Sequence, residues 1–393
     1  MSRLEYVFRC GQIYPGDGIP FDGYIRISED KIAEVGLNDP EAVDGAVFVD
    51  VTKYKIIPGL IDLHVHGYMG EDVASADAHA LLSMSSKLAT EGTTSFLPTL
   101  GAMPLDCIER VTKTVKSVVW DRANDGAEVL GLHLEGPFLN PCKQGAMCRD
   151  YLLDPSLDLA ARWLELSEGT LNHVTLAPEL PCAKEVVHFL SQEGVTVAAG
   201  HSMATYEETL EAISWGVTVG NHTFNAMRSF HHRDPGIVGA VLSDTRIWAE
   251  VLCDGIHVHP GAVLTLLAAK GVDKTYLVSD AIAPAGLKPA LYNSLGSDVI
   301  IDEEGRAFLR DGTLAGSTTT LLQCVKNVMR WTGEPLERVI PMATVNPSLV
   351  ANVSHRKGTL TPGKDADLVV LDDDENVLMS VVRGVVIRCI DYL

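Results

Sequence analysis

A chain of 393 residues, 46% hydrophobic and 21% charged, has the balance of a globular protein with room for a large barrel and an accessory unit. Its 31 basic and 52 acidic residues leave a formal net charge of −21, which excludes non-specific nucleic-acid binding, because displacing counterions from phosphates needs a basic surface. No run approaches the roughly 20 apolar residues of a membrane span. The eight scattered cysteines contain no C-x-x-C pair, so reduced thiols in a cytoplasmic enzyme are expected.

In chain order, residues 1–9 read as the start of a strand rather than a leader peptide. Short alternating runs at 6–8, 23–27 and 31–35 lie between turns such as Gly16-Asp17-Gly18, and residues 366–371 and 381–387 repeat that pattern. Residues 1–54 and 355–393 are therefore expected to form one small β-sandwich built from both chain termini. Residues 55–354 have a different rhythm. β-rich runs at 55–63, 93–99, 129–134, 173–177, 195–199, 217–221, 246–253 and 275–279 alternate with amphipathic stretches such as 76–90, 183–193 and 206–215. Eight strands alternating with helices predict the α/β class and a (β/α)8 TIM barrel; a doubly wound open sheet is the competitor. Residues 298–313, around Glu303-Glu304-Gly305, read as a β-hairpin inserted after the eighth strand.

Barrel chemistry sits at the C-terminal ends of the strands. The first run ends in His64-Val65-His66, where period-two alternation turns both imidazoles to one face. The others end in His133-Leu134-Glu135, Gly200-His201, Asn221-His222, Asp254-Gly255-Ile256-His257 and Ser279-Asp280. A single histidine after a strand is usually structural, but imidazole and carboxylate at six strand ends are the ligand set of a Zn- or Fe-like ion. His133 can sit behind the ligands. Asp62 reads as a turn anchor, and His79, His173, His188 and His355 as structural or exposed.

At these residues the sequence resembles the N-acetylglucosamine-6-phosphate deacetylase family of the amidohydrolase superfamily. The matching motifs are Pro58-Gly59-Leu60-Ile61-Asp62-Leu63-His64-Val65-His66-Gly67, His133-Leu134-Glu135-Gly136-Pro137-Phe138, Ala177-Pro178-Glu179 and Ala199-Gly200-His201-Ser202. Asn221-His222-Thr223-Phe224-Asn225-Ala226-Met227, Asp254-Gly255-Ile256-His257-Val258, Val278-Ser279-Asp280-Ala281, Leu314-Ala315-Gly316-Ser317 and Asn346-Pro347 follow in the family's order. The resemblance implies that Glu135, His201 and His222 hold one divalent metal and that His64 and His66 hold a second, with Glu135 able to bridge them. The metals would be Zn, Fe, Mn or Co. It further implies that Asp280 is the catalytic base, and that Asn225, the backbone of Ala226, His257 and Arg233 bind a phosphorylated N-acetyl amino sugar. Arg233 would be contributed to the neighbouring site of a homodimer. The implied reaction removes acetate from N-acetyl-D-glucosamine 6-phosphate in amino-sugar catabolism.

One position departs from the family's pattern. Many relatives have histidine in a Gly-Ala-His motif, thought to polarise the substrate carbonyl, where this chain has Gly145-Ala146-Met147. A thioether cannot do that work, so the second metal is expected to take it over; the alternative is a Met147 loop reshaped for a different acyl sugar. The rival functions are a cyclic amidase, the galactosamine epimer as substrate, another amidohydrolase activity, and a catalytically silent barrel. Cyclic amidases typically bridge two metals with a carboxylated lysine after strand four, where this chain has Ala177-Pro178-Glu179.

Overall fold

The structure is a computed structural model and describes residues 5–38, 43–121 and 125–389. Eight parallel strands form its centre: Leu60–Val65, Thr93–Leu100, Leu132–Glu135, Leu171–Leu176, Thr196–Ala199, Val217–Gly220, Trp248–Leu252 and Thr275–Val278, taken below as strands one to eight. They are hydrogen-bonded in that order. A parallel bridge between Val65 and Ala281 closes the ring, where Asp280 N–H donates to His64 O at 2.9 Å and His66 N–H to Ala281 O at 2.8 Å. Helices Ala78–Thr90, Leu105–Asp121, Leu157–Ser167, Ala183–Gln192, Tyr206–Trp215, Gly236–Ser243, Pro260–Lys270 and Leu321–Thr332 follow the strands in turn. This is the (β/α)8 barrel that the alternation predicts.

Local chemistry sets the element boundaries. Helix Tyr206–Trp215 begins in a capping box, with the Thr205 hydroxyl accepting from Glu208 N–H and the Glu208 carboxylate accepting from Thr205 N–H. Asp77, Ser156 and Thr320 cap their helices through single side-chain bonds, each worth about 1 kcal/mol. Among the described residues no helix is long and apolar enough to cross a membrane.

The two ends of the chain meet in one mixed sheet of seven strands. Val47–Pro58 is its spine, pairing in parallel with Tyr6–Ile13 and antiparallel with Leu368–Leu371. Phe21–Ser28 and Lys31–Gly36 extend it on one side, and Val377–Val382 and Val385–Cys389 on the other. Phe8, Ile25 and Ile27 from one half and Leu368, Val370 and Val381 from the other belong to one buried cluster, so the sheet has a core of its own. The alternate residues Val369, Leu371 and Val382 join the barrel's core instead. Strand Leu368–Leu371 is apolar throughout because it is buried on both faces. Of the expected terminal unit, residues 1–4, 39–42 and 390–393 lie outside those described.

Three sequence expectations change. The run 55–63 is two strands: the terminal sheet continues to Pro58 and the barrel strand begins at Leu60. They part at Gly59, where a Cβ would meet Thr94 Oγ1 at 2.0 Å, so only glycine lets the chain pass. The run 129–134 is also split. Glu128–Val129 pairs only with strand two, and strand three starts beyond Gly131, whose φ of 144° interrupts the ladder. The insertion after strand eight is a three-stranded sheet rather than a hairpin. Leu291–Ser294 precedes the expected pair Ser297–Ile301 and Ala307–Leu309 and reaches it through a turn at Leu295-Gly296.

Candidate metal centre and substrate cavity

At the C-terminal end of the barrel four imidazoles and two carboxylates converge. His64, His66 and Asp280 offer one ligand atom each within 4.8 Å of one another, and Glu135, His201 and His222 do the same. Glu135 lies between the groups. Its Oε1 is 2.9 Å from His222 Nε2, 3.1 Å from His201 Nε2 and 3.5 Å from His64 Nε2, and its Oε2 is 3.3 Å from His66 Nε2. Asp280 Oδ1 stands 3.5 Å from His64 Nε2 and 3.4 Å from His66 Nε2. Asp280 is thus grouped with the histidines as a candidate ligand as well as standing where a base is expected.

The far side of each ring shows which nitrogen is free. His64 Nδ1 lies 2.9 Å from Glu250 Oε1, His66 Nδ1 3.1 Å from Thr99 O, and His201 Nδ1 2.7 Å from Lys143 O. Carbonyl and carboxylate oxygens only accept, so these Nδ1 atoms carry the protons and the Nε2 lone pairs point inward. With the rings neutral, His64 Nε2 and His66 Nε2, 3.2 Å apart, are then lone pairs facing each other, and His201 turns its lone pair toward His222 Nε2 at the same distance. A cation between them resolves that conflict, and the donor set fits a divalent metal.

The electrostatics point the same way. Burial opposes charge on Asp280, but the imidazoles of His64 and His66 hold its carboxyl at about 2. Burial likewise opposes charge on Glu135, whose carboxyl His64 and His201 hold well below the usual range. Both carboxylates favour positive charge among the imidazoles and, against burial, raise His64 and His66 in turn; a divalent ion at the Nε2 atoms would supply that charge in place of their protons.

Several of these residues stand in strained backbone. His201, His222, Ala226 and Asp280 have φ of 46°, 22°, 48° and 49°, a region that costs a non-glycine residue about 1–3 kcal/mol. The hydrogen bonds around the strand ends hold them there. Glu179 accepts from Asn140 Nδ2 at 2.9 Å, Ser202 Oγ at 2.7 Å and Met203 N at 2.5 Å, which fixes the turn carrying His201.

Residues behind the centre complete the picture. Glu250, fully buried on strand seven, accepts from His64 Nδ1 through Oε1, from His222 N–H at 2.9 Å through the same oxygen, and from Tyr276 Oη at 2.6 Å through Oε2. Burial works against its charge, yet His64 beside it keeps the carboxyl below its ordinary range. Asn221 Nδ2 donates to Glu135 Oε1 at 3.0 Å. His133 lies under His64, ring centroids 4.8 Å apart, between the hydroxyls of Thr99 and Thr175. His173 lies tilted against His133, ring centroids 4.5 Å apart, and burial lowers its imidazole to about 4, so it is a neutral part of the barrel's filling. Asp62 anchors no turn: its Oδ1 accepts from His64 N and Ser279 N and so ties strand one to strand eight.

Above the ligands opens a cavity of about 500 Å³ lined by His66, Asp280, Glu135, His201 and His222, with His64 behind them, and by Met147, Asn225, Ala226 and His257. His257 is held by Asp254 Oδ2, 2.7 Å from Nδ1, while its buried Nε2 has no protein partner. Nine of the ten site residues singled out from sequence therefore line or adjoin one space. Arg233 does not: it is exposed on the loop after strand six, beside His232 Nε2 at 2.8 Å. Glu250, Asn221 and Glu179 had been given no role. For Glu250 the signal was present, a lone carboxylate inside the apolar run Trp248-Ala249-Glu250-Val251-Leu252.

The model of the Amidohydrolase family matches residues 56–387. An N-acetylglucosamine-6-phosphate deacetylase of Lysinibacillus sphaericus is 39% identical over 318 residues, 81% of each chain. An N-acetylgalactosamine-6-phosphate deacetylase of Escherichia coli O157:H7 is 33% identical over 97% of this chain and 99% of its own. The structure of a point mutant of the N-acetyl-D-glucosamine-6-phosphate deacetylase from Mycobacterium smegmatis, in complex with N-acetyl-D-glucosamine 6-phosphate, superposes with a TM-score of 0.92 at 29% identity. It covers 98% of this chain and 100% of that one. The chain belongs to the amidohydrolase family, within the branch of the N-acetylglucosamine-6-phosphate deacetylases.

Proposed function

We propose that this protein hydrolyses the acetamide of N-acetyl-D-glucosamine 6-phosphate to glucosamine 6-phosphate and acetate, a step of amino-sugar catabolism, using two divalent ions per subunit. The observation that carries this reading is the convergence of four imidazole nitrogens and two carboxylates at the floor of a cavity whose wall offers His257 Nε2 without a partner among the described residues. His64, His66 and Asp280 would hold one ion and Glu135, His201 and His222 the other, whether Zn, Fe, Mn or Co. When bound, such ions supply Lewis acidity to the amide carbonyl, the task of the histidine that Met147 replaces, and lower the pKa of water.

The chain's own groups do the rest. Asp280, ionised at the cavity floor, accepts a proton from the attacking water and returns it to the amine nitrogen as the C–N bond breaks. Asn225, Ala226 N–H and His257 bind the sugar phosphate from the side of strands six and seven. In a protein of net charge −21 the phosphate also needs a fixed cation, and an arginine fork matches it. Arg233 makes no ion pair with a carboxylate among the described residues, and it is exposed three residues after the exposed Phe230. Both features support a homodimer in which Arg233 reaches the neighbour's cavity. A cytoplasmic location is supported by the unpaired thiols, of which Cys142 and Cys182 are exposed.

The second reading is the galactosamine epimer, supported by the Escherichia coli relative. Acetate release is the test. Activity on N-acetylglucosamine 6-phosphate is expected to vanish on chelation and return with a divalent ion; a thoroughly chelated protein that stays fully active overturns the reading.

A further inference from the structure

In a closed barrel of eight strands, strand two lies opposite strand six. A substrate with its amide at the triads and its sugar toward Asn225 and His257 directs its acyl group at the end of strand two. There the chain runs through Gly101 and Ala102, and Met147 folds over them. Met147 is 7% exposed, and its Sδ accepts from Ala102 N–H at 3.3 Å. The glycine makes this possible, because a Cβ at position 101 would meet Met147 Sδ at 2.6 Å and Cε at 2.8 Å.

Behind the thioether lies a second cavity of about 10 Å³, lined by Leu100, Ala102 and Met103 and also by Asp72 and Thr99, whose oxygens accept from Ala74 N, Ser294 Oγ and Val65 N. That is room for one group the size of a water or a methyl. His66, Met147 and Leu295 line both this chamber and the substrate cavity, so Met147 is part of the wall between them. The wall is deformable: methionine is unbranched, has three rotatable side-chain bonds and repacks at little cost.

We propose that Met147 and the small chamber behind it form the acyl subsite, and that the protein also hydrolyses the N-propionyl amino-sugar phosphate. This rests on the deacetylase reading. The propionyl methyl enters the chamber as the thioether turns aside, and the reaction is otherwise unchanged: water adds, propionate leaves with the carbonyl, and the amine takes the proton. Met147 thereby sets acyl length, where a rigid polar ring would hold the wall in place.

The test is kcat/KM for N-acetyl-, N-propionyl- and N-butyrylglucosamine 6-phosphate in the wild type, Met147→Ala and Gly101→Ala. In the wild type propionyl is expected within about tenfold of acetyl, with butyryl at least about tenfold below propionyl, the scale of one methylene in an apolar pocket. Met147→Ala opens the wall and should raise the butyryl-to-acetyl ratio about tenfold or more. Gly101→Ala pushes the thioether into the cavity and should lower the propionyl-to-acetyl ratio. A general loss of stability would not move the two ratios in opposite directions, and if Met147→Ala does not fold, Gly101→Ala carries the test alone. Acetyl hydrolysis with the same ratios in every folded protein overturns the acyl subsite and leaves the deacetylase reading standing. No hydrolysis of any member overturns both.

Discussion

Replacing Glu250 by glutamine keeps the shape of the side chain and removes its charge. Oε1 now accepts two N–H bonds, from His64 Nδ1 and His222 N, and Oε2 accepts the Tyr276 hydroxyl. An amide has one acceptor oxygen. Turned toward His64, it keeps both N–H bonds and needs only that the Tyr276 hydroxyl reverse to accept; turned toward Tyr276, it sets an NH2 against two donors. The first arrangement wins, so the geometry survives and the charge is what is lost. A charge-assisted bond becomes a neutral one, roughly half as strong, and His64 Nε2 becomes a poorer donor to a metal. Outer partners of metal-binding histidines are worth about 10–100-fold in affinity, or about 1.4–2.8 kcal/mol. The assay is competition between the metal-free protein and a chromophoric chelator for zinc, with elemental analysis to count ions. One of two ions per subunit should weaken by that factor. Affinities unchanged within about twofold for both ions would refute the reasoning that fixed the His64 tautomer.

Asp280→Asn removes the proton carrier and should lower kcat by about 10²–10⁴ while the Glu135, His201 and His222 triad still binds metal, checked by turnover beside metal analysis. Arg233→Ala alone and Asp280→Asn alone should both be nearly inactive, yet refolding the two together should restore activity if the arginine serves a neighbour's site; a mixture no more active than its parts would refute the shared site. Lys357, 1% exposed as a side chain, meets Glu128, Asp365 and Asp367 where the terminal sheet joins the barrel. Lys357→Met takes the cation from the buried Asp367, while Arg356 still faces Glu128 and Asp365, and should cost about 3–5 kcal/mol in urea unfolding. Burial would raise Glu128, but Lys357 and Arg356 hold it at about 2. A depressed carboxyl contributes stability that is complete above its unfolded value of about 4.5 and lost as pH falls toward 2. The wild-type urea midpoint should therefore fall between about pH 5 and pH 3, and more steeply than that of Lys357→Met.

What was legible in the sequence is what interrupts a pattern. Imidazoles and carboxylates ending apolar runs marked His64, His66, Glu135, His201, His222 and Asp280, and the structure brings all six together. Glu250 escaped because a strand with one internal carboxylate still reads as a strand; only the closed barrel turns that carboxylate toward His64. Asn221 reads from sequence only as a strand end, where it stands, and its amide also bonds Glu135. Gly59 and Gly131 split runs that composition alone made continuous, since the cause in each case is backbone conformation or a close approach from a distant residue. The terminal sheet was legible as alternation at both ends, but the pairing of Val47–Pro58 with the C-terminal strand Leu368–Leu371 depends on contacts more than 300 residues apart in sequence, such as Lys55 with Leu371.

The central claim, a metal-dependent deacetylase of a phosphorylated amino sugar, is tested most directly by kcat/KM for acetate release from N-acetylglucosamine 6-phosphate, its galactosamine epimer and unphosphorylated N-acetylglucosamine, with the metal-loaded protein. The account predicts that the glucosamine phosphate is the best substrate and that loss of the phosphate costs at least about 10²-fold, the scale of a buried charge-assisted contact left unmade. Equal or faster turnover of the unphosphorylated sugar would contradict it.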